Sequence, residues 1–107
     1  MNKFILIKTK EAFMEDHLSI KDIHDRLQEL PGWEMSDYAS IYKDFEFKDF
    51  KEAMDFAQKV GDSASHEYHY PEITIRNNIV RLSLTTPEDG GLTYKDFKLA
   101  KIIEQLL

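Results

Sequence analysis

Hydrophobic positions along the chain follow two rhythms that trade places several times. Ile20, Ile23, Leu27 and Leu30 recur at helical spacing behind Ser19 and Asp22, a Ser-x-x-acid helix start, and Pro31-Gly32 closes the run. After Trp33 and Met35 an alternation of period two takes over. Ile41, Phe45 and Phe47 share one side of residues 41–47, which predicts a strand paired with a shorter one before it. Asp49, with Glu52 three residues on, then caps a long helix in which Phe50, Met54, Ala57, Gly61, Ala64 and Tyr68 recur every three or four positions. This helix is predicted to run through Gly61, at a cost of about 1 kcal/mol relative to alanine, and Pro71 forces the following chain out of it.

Residues 73–76 and 79–84 are β-rich runs joined through Asn77-Asn78, the pattern of a hairpin. Thr93 and Asp96 repeat the helix-start pattern ahead of Phe97, Ala100, Ile103 and Leu107. A second stripe, Leu99, Ile102 and Leu106, widens the apolar arc of this last helix, as contact with another subunit would require. The resulting order is α-β-β-α-β-β-α. It predicts an α+β fold with a four-stranded antiparallel sheet and helices packed on one face.

Composition narrows the function classes. A chain of 107 residues builds one domain, and 20 acidic against 14 basic side chains leave a formal charge of −6. The acid excess sits in residues 31–72, with 10 acidic and 4 basic groups, so direct binding to nucleic acid or to an anionic membrane is not expected. The chain has no cysteine, which excludes disulfides, thiolate metal sites and a cysteine nucleophile. Phe4-Ile5-Leu6-Ile7 is too short to span a membrane or form a signal segment, and the expected location is cytoplasmic. Neither a phosphate-cradling glycine loop nor a nucleophile elbow is present.

The candidate chemistry lies in residues 65–71, Ser-His-Glu-Tyr-His-Tyr-Pro, where the long helix gives way to the second hairpin. Histidine populates its charged and neutral forms in comparable amounts near pH 7, so one imidazole can deliver and remove protons in the same cycle. His69 is the natural candidate, and an interaction with the carbonyl end of the helix is its structural alternative. His66 and His69 share a helical face beside Glu67, yet no third ligand follows at a recognisable spacing, so no metal site is expected. His17 and His24 are expected to face solvent.

These residues resemble the pterin-4a-carbinolamine dehydratase family. The resemblance is carried by Pro31-Gly32-Trp33, the Phe-x-Phe-Lys-Asp-Phe of residues 45–50, His69-x-Pro71, Leu82-x-Leu84-Thr85-Thr86, Gly90-Gly91-Leu92-Thr93 and Asp96-Phe97-x-Leu99-Ala100. It covers residues 18–107 as one domain and leaves 1–17 as an N-terminal extension, in which residues 3–8 could add an edge strand or a partner-binding arm. The resemblance implies dimers or tetramers built by sheet and helix contacts. It also implies dehydration of a 4a-hydroxytetrahydropterin to the quinonoid dihydropterin without metal or organic cofactor. In that reaction one group protonates the leaving hydroxyl and another accepts a proton from the ring nitrogen.

Carried onto this chain, the resemblance makes His69 the proton-transfer group, Tyr70 a hydrogen-bond donor to the pterin or its leaving hydroxyl, and Asp96 the residue that orients the site. His66, Pro71, Thr86 and Glu88 are expected around the substrate, with His66 or Glu88 standing in for a missing acid–base partner. The chain departs from the family pattern at Ser65, Tyr70, Asn77 and Pro87, where a charged residue, His or Asn, an aromatic, and His or Trp are usual. Pro71 and Asp96 also have scaffold roles, as a helix stop and a capping acid. Two functions follow: a dehydratase acting on a pterin, or a member of the fold that has lost its proton chemistry and serves as a protein-binding, dimerisation or assembly module.

Overall fold

The computed structural model describes residues 17–37 and 39–107; the predicted strand at residues 3–8 lies outside them. Helix α1 (Ile20–Leu27) leads to strands β1 (Glu34–Ser36) and β2 (Ser40–Glu46), the long helix α2 (Phe50–Glu67), strands β3 (Glu72–Arg76) and β4 (Ile79–Leu84), and helix α3 (Tyr94–Glu104). This is the α-β-β-α-β-β-α order expected, with one antiparallel four-stranded sheet. A short 3-10 turn at Pro87–Asp89 separates β4 from α3.

Each helix starts on a cap legible in the sequence. The Ser19 hydroxyl accepts from the Asp22 N–H at 3.1 Å, and the Asp49 carboxylate accepts from the Glu52 N–H at 2.9 Å. Thr93 and Asp96 complete a reciprocal capping box at the start of α3.

The strands lie side by side as β1-β2-β4-β3, so β4 inserts between β2 and the edge strand β3. Ile41 and Phe45 of β2 stand opposite Leu84 and Val80 of β4, and these four residues point into the core under the helices. Phe56 of α2 packs against Phe45 and Phe47, with ring centroids 5.0 and 4.8 Å away.

Two packing expectations change. The face of α2 that meets the sheet is Ala53, Phe56, Val60 and Ala64, whereas Phe50 and Met54 of the predicted stripe are about half exposed. Two apolar series run along the same helix, and the one carrying small side chains beside Phe56 allows the close approach to the sheet. On α3, Leu99 is as buried as Phe97, Ala100 and Ile103 in this chain's own core, while Leu107 lies beyond the helix end and is exposed. Leu99 thus serves intrachain packing, while Ile102 and Leu106 of the same stripe are partly buried.

The strand order also decides what meets at one end of the sheet. Glu72 at the start of β3 pairs with Ser83 near the end of β4. The residues entering β3, His69 to Pro71, therefore run beside those leaving β4, Thr85 to Pro87. Thr86 and Gly91 then close a small loop with two backbone hydrogen bonds, which Gly90 makes possible by adopting φ +87°. This loop delivers α3, and with it Asp96, to the end of α2. Among the described residues no helix is long and apolar enough to cross a membrane.

Candidate active site

His69 sits just past the end of α2, where its backbone N–H bonds the Ala64 carbonyl at 3.1 Å and Tyr68 takes a left-handed conformation to turn the chain. Its ring is directed inward and the residue is 8% exposed. Nε2 lies 2.6 Å from Oδ1 of Asp96, a residue 27 positions away and fully buried. The other carboxylate oxygen of Asp96 accepts from the Thr86 hydroxyl at 2.7 Å and from the Thr93 N–H at 3.0 Å, and the two threonine hydroxyls are themselves 3.0 Å apart.

The carboxylate therefore has two separate tasks. Oδ2 closes the helix cap and Oδ1 holds the imidazole. A carboxylate only accepts, so the ring donates from Nε2 and its second nitrogen, Nδ1, keeps a lone pair in the neutral form. No buried side-chain nitrogen or oxygen among the described residues lacks a partner, and Nδ1 makes no hydrogen bond with any of them. A fixed ring with one open nitrogen is able to take up or release a proton at a defined point.

Two concavities open beside His69. One, of about 250 Å³, is lined by Glu67, Tyr68, His69, Glu88, Tyr94, Lys95 and Lys98. The other, of about 240 Å³, is lined by Tyr68, His69, Tyr70, Thr85, Pro87 and Glu88. Lys98 pairs with Glu67 at 3.0 Å, and this contact, followed by that of His66, holds the Glu67 carboxyl below the usual carboxylate range. Glu88 belongs to both concavities.

The residues singled out in the sequence fall into three groups. His69, Asp96 and Thr86 form one buried network, with Thr86 standing behind Asp96 and away from either concavity. Tyr70 and Glu88 line the open space in front of it. His66 is not brought in: its side chain is 87% exposed, turned to Glu67 at 3.3 Å. Pro71, entering β3, lines neither concavity. Among the described residues no three His, Asp or Glu side chains gather as a metal ligand set. The sequence reading missed Tyr68, Tyr94, Lys95 and Lys98. The spacing of Tyr94 and Lys98, four apart behind the Thr93 cap, could have placed both on one helix face.

A one-sided antiparallel sheet whose far end joins a buried histidine–carboxylate pair to an open aromatic concavity defines a small α+β domain. The chain belongs to the family described as pterin 4 alpha carbinolamine dehydratase, whose match spans residues 16–106. It is 47% identical over 90 residues to a protein of Acidobacterium capsulatum provisionally named a pterin-4-alpha-carbinolamine dehydratase, covering 84% of this chain and 97% of that one. A similarly named protein of Thermomicrobium roseum is 46% identical over 80 residues, covering 75% and 85%.

Among solved structures, the transcriptional coactivator/pterin dehydratase of Brucella melitensis superposes with a TM-score of 0.80 at 30% identity, over 84% of this chain and 97% of that one. A pterin dehydratase-like protein identified as a RuBisCO assembly factor in the alpha-carboxysome gives 0.59 at 16% identity, over 70% and 88%, which shows a shared fold alone.

Proposed function

We propose that the chain dehydrates a 4a-hydroxytetrahydropterin to the quinonoid dihydropterin, with His69 as the proton-transfer residue. The observation that carries this reading is the 2.6 Å contact between Nε2 of His69 and buried Asp96, which leaves Nδ1 with its lone pair in a residue that lines both concavities. The reaction moves one proton from the ring nitrogen to the departing oxygen as the bond from carbon to hydroxyl breaks. Nδ1 accepts this proton from the ring nitrogen, and the imidazolium so formed is stabilised by the carboxylate behind it and gives the same proton to the leaving hydroxyl, which departs as water. Tyr70 and Glu88, lining the same space, supply hydrogen bonds to the pterin and its leaving group. Glu88 takes the place of the acid–base partner that Pro87 cannot be, and exposed His66 has no part.

The test is the dehydration of a freshly formed 4a-hydroxytetrahydropterin followed by ultraviolet absorbance. Acceleration over the spontaneous reaction is expected, and no acceleration at micromolar protein would sink the proposal.

A second reading is favoured by Pro87 and Tyr70, which occupy two positions where the family usually carries acid–base or ring-packing side chains. In it the domain captures a protein partner and leaves pterin untouched, and the RuBisCO assembly factor that shares this fold gives it a precedent. The same assay separates the two.

In either case we propose a homo-oligomer formed at strand β3, which among the described residues has β4 as its neighbour on one side only. An antiparallel copy of β3 centred on Thr74 would set Glu72 opposite Arg76 twice, with Ile73 facing Ile75 on the helix side. Opposite charges across strands are favourable and like charges are not. Arg76→Glu is therefore expected to dissociate the oligomer in sedimentation velocity, and adding Glu72→Arg should restore it. An unchanged sedimentation coefficient in the single variant would reject this edge as the interface.

A further inference from the structure

Three described non-glycine residues have positive φ: Asp37, Tyr68 and Asn77. Asp and Asn tolerate the left-handed region because a short polar side chain can bond the local backbone. Tyrosine has no such compensation. At Tyr68, φ 53° and ψ 36° close the end of α2, a position that ordinarily selects glycine. The side chain contributes nothing to the core either, since the residue is 85% exposed. A bulky aromatic is therefore kept where the backbone disfavours it and the fold does not use it, the kind of local strain that clusters at ligand sites.

Its surroundings say what the ring is for. Tyr68 lines both concavities beside His69; Tyr94 is exposed on the rim of one and Tyr70 on the rim of the other. Three of the five tyrosines of the chain thus share the lining of these concavities with the buried imidazole. Exposed aromatic faces around a polar, proton-transferring atom suit a flat ring whose edges carry nitrogen and oxygen.

We propose that Tyr68 is a ligand-binding residue, its ring serving as the stacking platform that holds a planar heteroaromatic ring against His69, with Tyr94 and Tyr70 as flanking walls. This rests on the dehydratase reading for the identity of the ring, and adds the residue that captures it. The left-handed backbone is what carries the phenol out over the mouth of the site.

The test is calorimetric titration of the full chain with 7,8-dihydrobiopterin, guanosine and riboflavin, alongside thermal melting. Tyr68→Gly should melt at or above the wild-type temperature, because glycine suits the conformation, and yet bind about 10-fold or more weakly, the scale that removal of an aromatic platform sets. Tyr68→Phe should bind within about threefold of wild type, since stacking survives without the hydroxyl.

Equal binding by wild type and Tyr68→Gly would overturn the proposal, as would failure of the wild type to bind any of the three rings. A lowered melting temperature in both Tyr68→Gly and Tyr68→Asn would assign the side chain to the fold, and an altered sedimentation coefficient with unaltered binding would assign it to a protein interface; each overturns it. Tyr68-dependent binding without dehydration would retain the platform and remove the dehydratase reading. Dehydration and binding indifferent to Tyr68→Gly would do the reverse.

Discussion

Replacing Asp96 by alanine is expected to destabilise the protein by about 3–5 kcal/mol. The reason is the number of donors that one carboxylate satisfies. It accepts from the Thr93 backbone N–H, the Thr86 hydroxyl and the His69 ring, all in a place where the residue has no exposure. With the carboxylate gone, the threonine hydroxyls can satisfy one another across their 3.0 Å separation, but the Thr93 N–H and the His69 N–H are left without acceptors. Each orphaned buried donor costs about 1–3 kcal/mol, and the weakened cap adds about 1 kcal/mol.

Set against a total of about 5–15 kcal/mol for a domain, this is a large fraction. The midpoint of thermal unfolding should fall by on the order of 15–30 °C. A fall of a few degrees in calorimetry would mean that the network is not closed as described.

Asp96→Asn separates the scaffold role from the chemical one. The amide oxygen can replace Oδ2 as acceptor for Thr86 and Thr93, which turns the amide nitrogen toward His69. A donor there requires Nε2 to accept, so the ring proton moves to Nδ1. The tautomer is reversed with the fold kept, and Nδ1 becomes a donor with no lone pair. Long-range proton–nitrogen correlation spectra, recorded where the ring is neutral, should show Nδ1 unprotonated in wild type and protonated in Asp96→Asn. The same unprotonated Nδ1 in both proteins would contradict the assignment of Asp96 as the orienting residue.

His69→Gln should slow pterin dehydration by about 10²- to 10⁴-fold, the usual worth of a positioned proton-transfer group. Glutamine is chosen because its amide can still donate to Asp96, which spares the buried carboxylate oxygen, whereas alanine would leave it unpaired. The melting temperature should therefore move by only a few degrees while the rate collapses. Rate measurements on wild type and variant at matched pterin concentration decide the matter. Equal rates, both above the spontaneous one, would transfer the chemistry away from this imidazole.

The elements of the fold were readable because their determinants are local. Ser19, Asp49 and Thr93 each bond a backbone N–H within three residues, and strand faces such as Ile41 and Phe45 follow from a strict period of two. The burial of α2 was less readable for a physical reason. Phe50-Met54-Ala57-Gly61 and Ala53-Phe56-Val60-Ala64 are both apolar series at helical spacing, and a helix taken alone offers no basis for choosing between them. The choice belongs to the sheet, which admits the face that approaches closely. The same holds on α3, where Leu99 extends the intrachain core.

The candidate site divides along the same line. A histidine at the end of a long helix and an acid three residues past Thr93 are visible in the chain as separate facts, each with an ordinary structural use. Their meeting 27 residues apart depends on β4 pairing between β2 and β3, which lays the entry to β3 beside the exit from β4 and lets the Thr86–Gly91 loop carry Asp96 inward. By itself the sequence determined the caps, the alternation and the order of elements, because those are written in side chains a few positions apart. Only the tertiary structure decided which nitrogen of His69 meets Asp96, that Thr86 stands behind Asp96, that His66 points away and that Tyr68 lines both concavities. Those depend on the relative placement of strands and helices, which no short stretch of chain specifies.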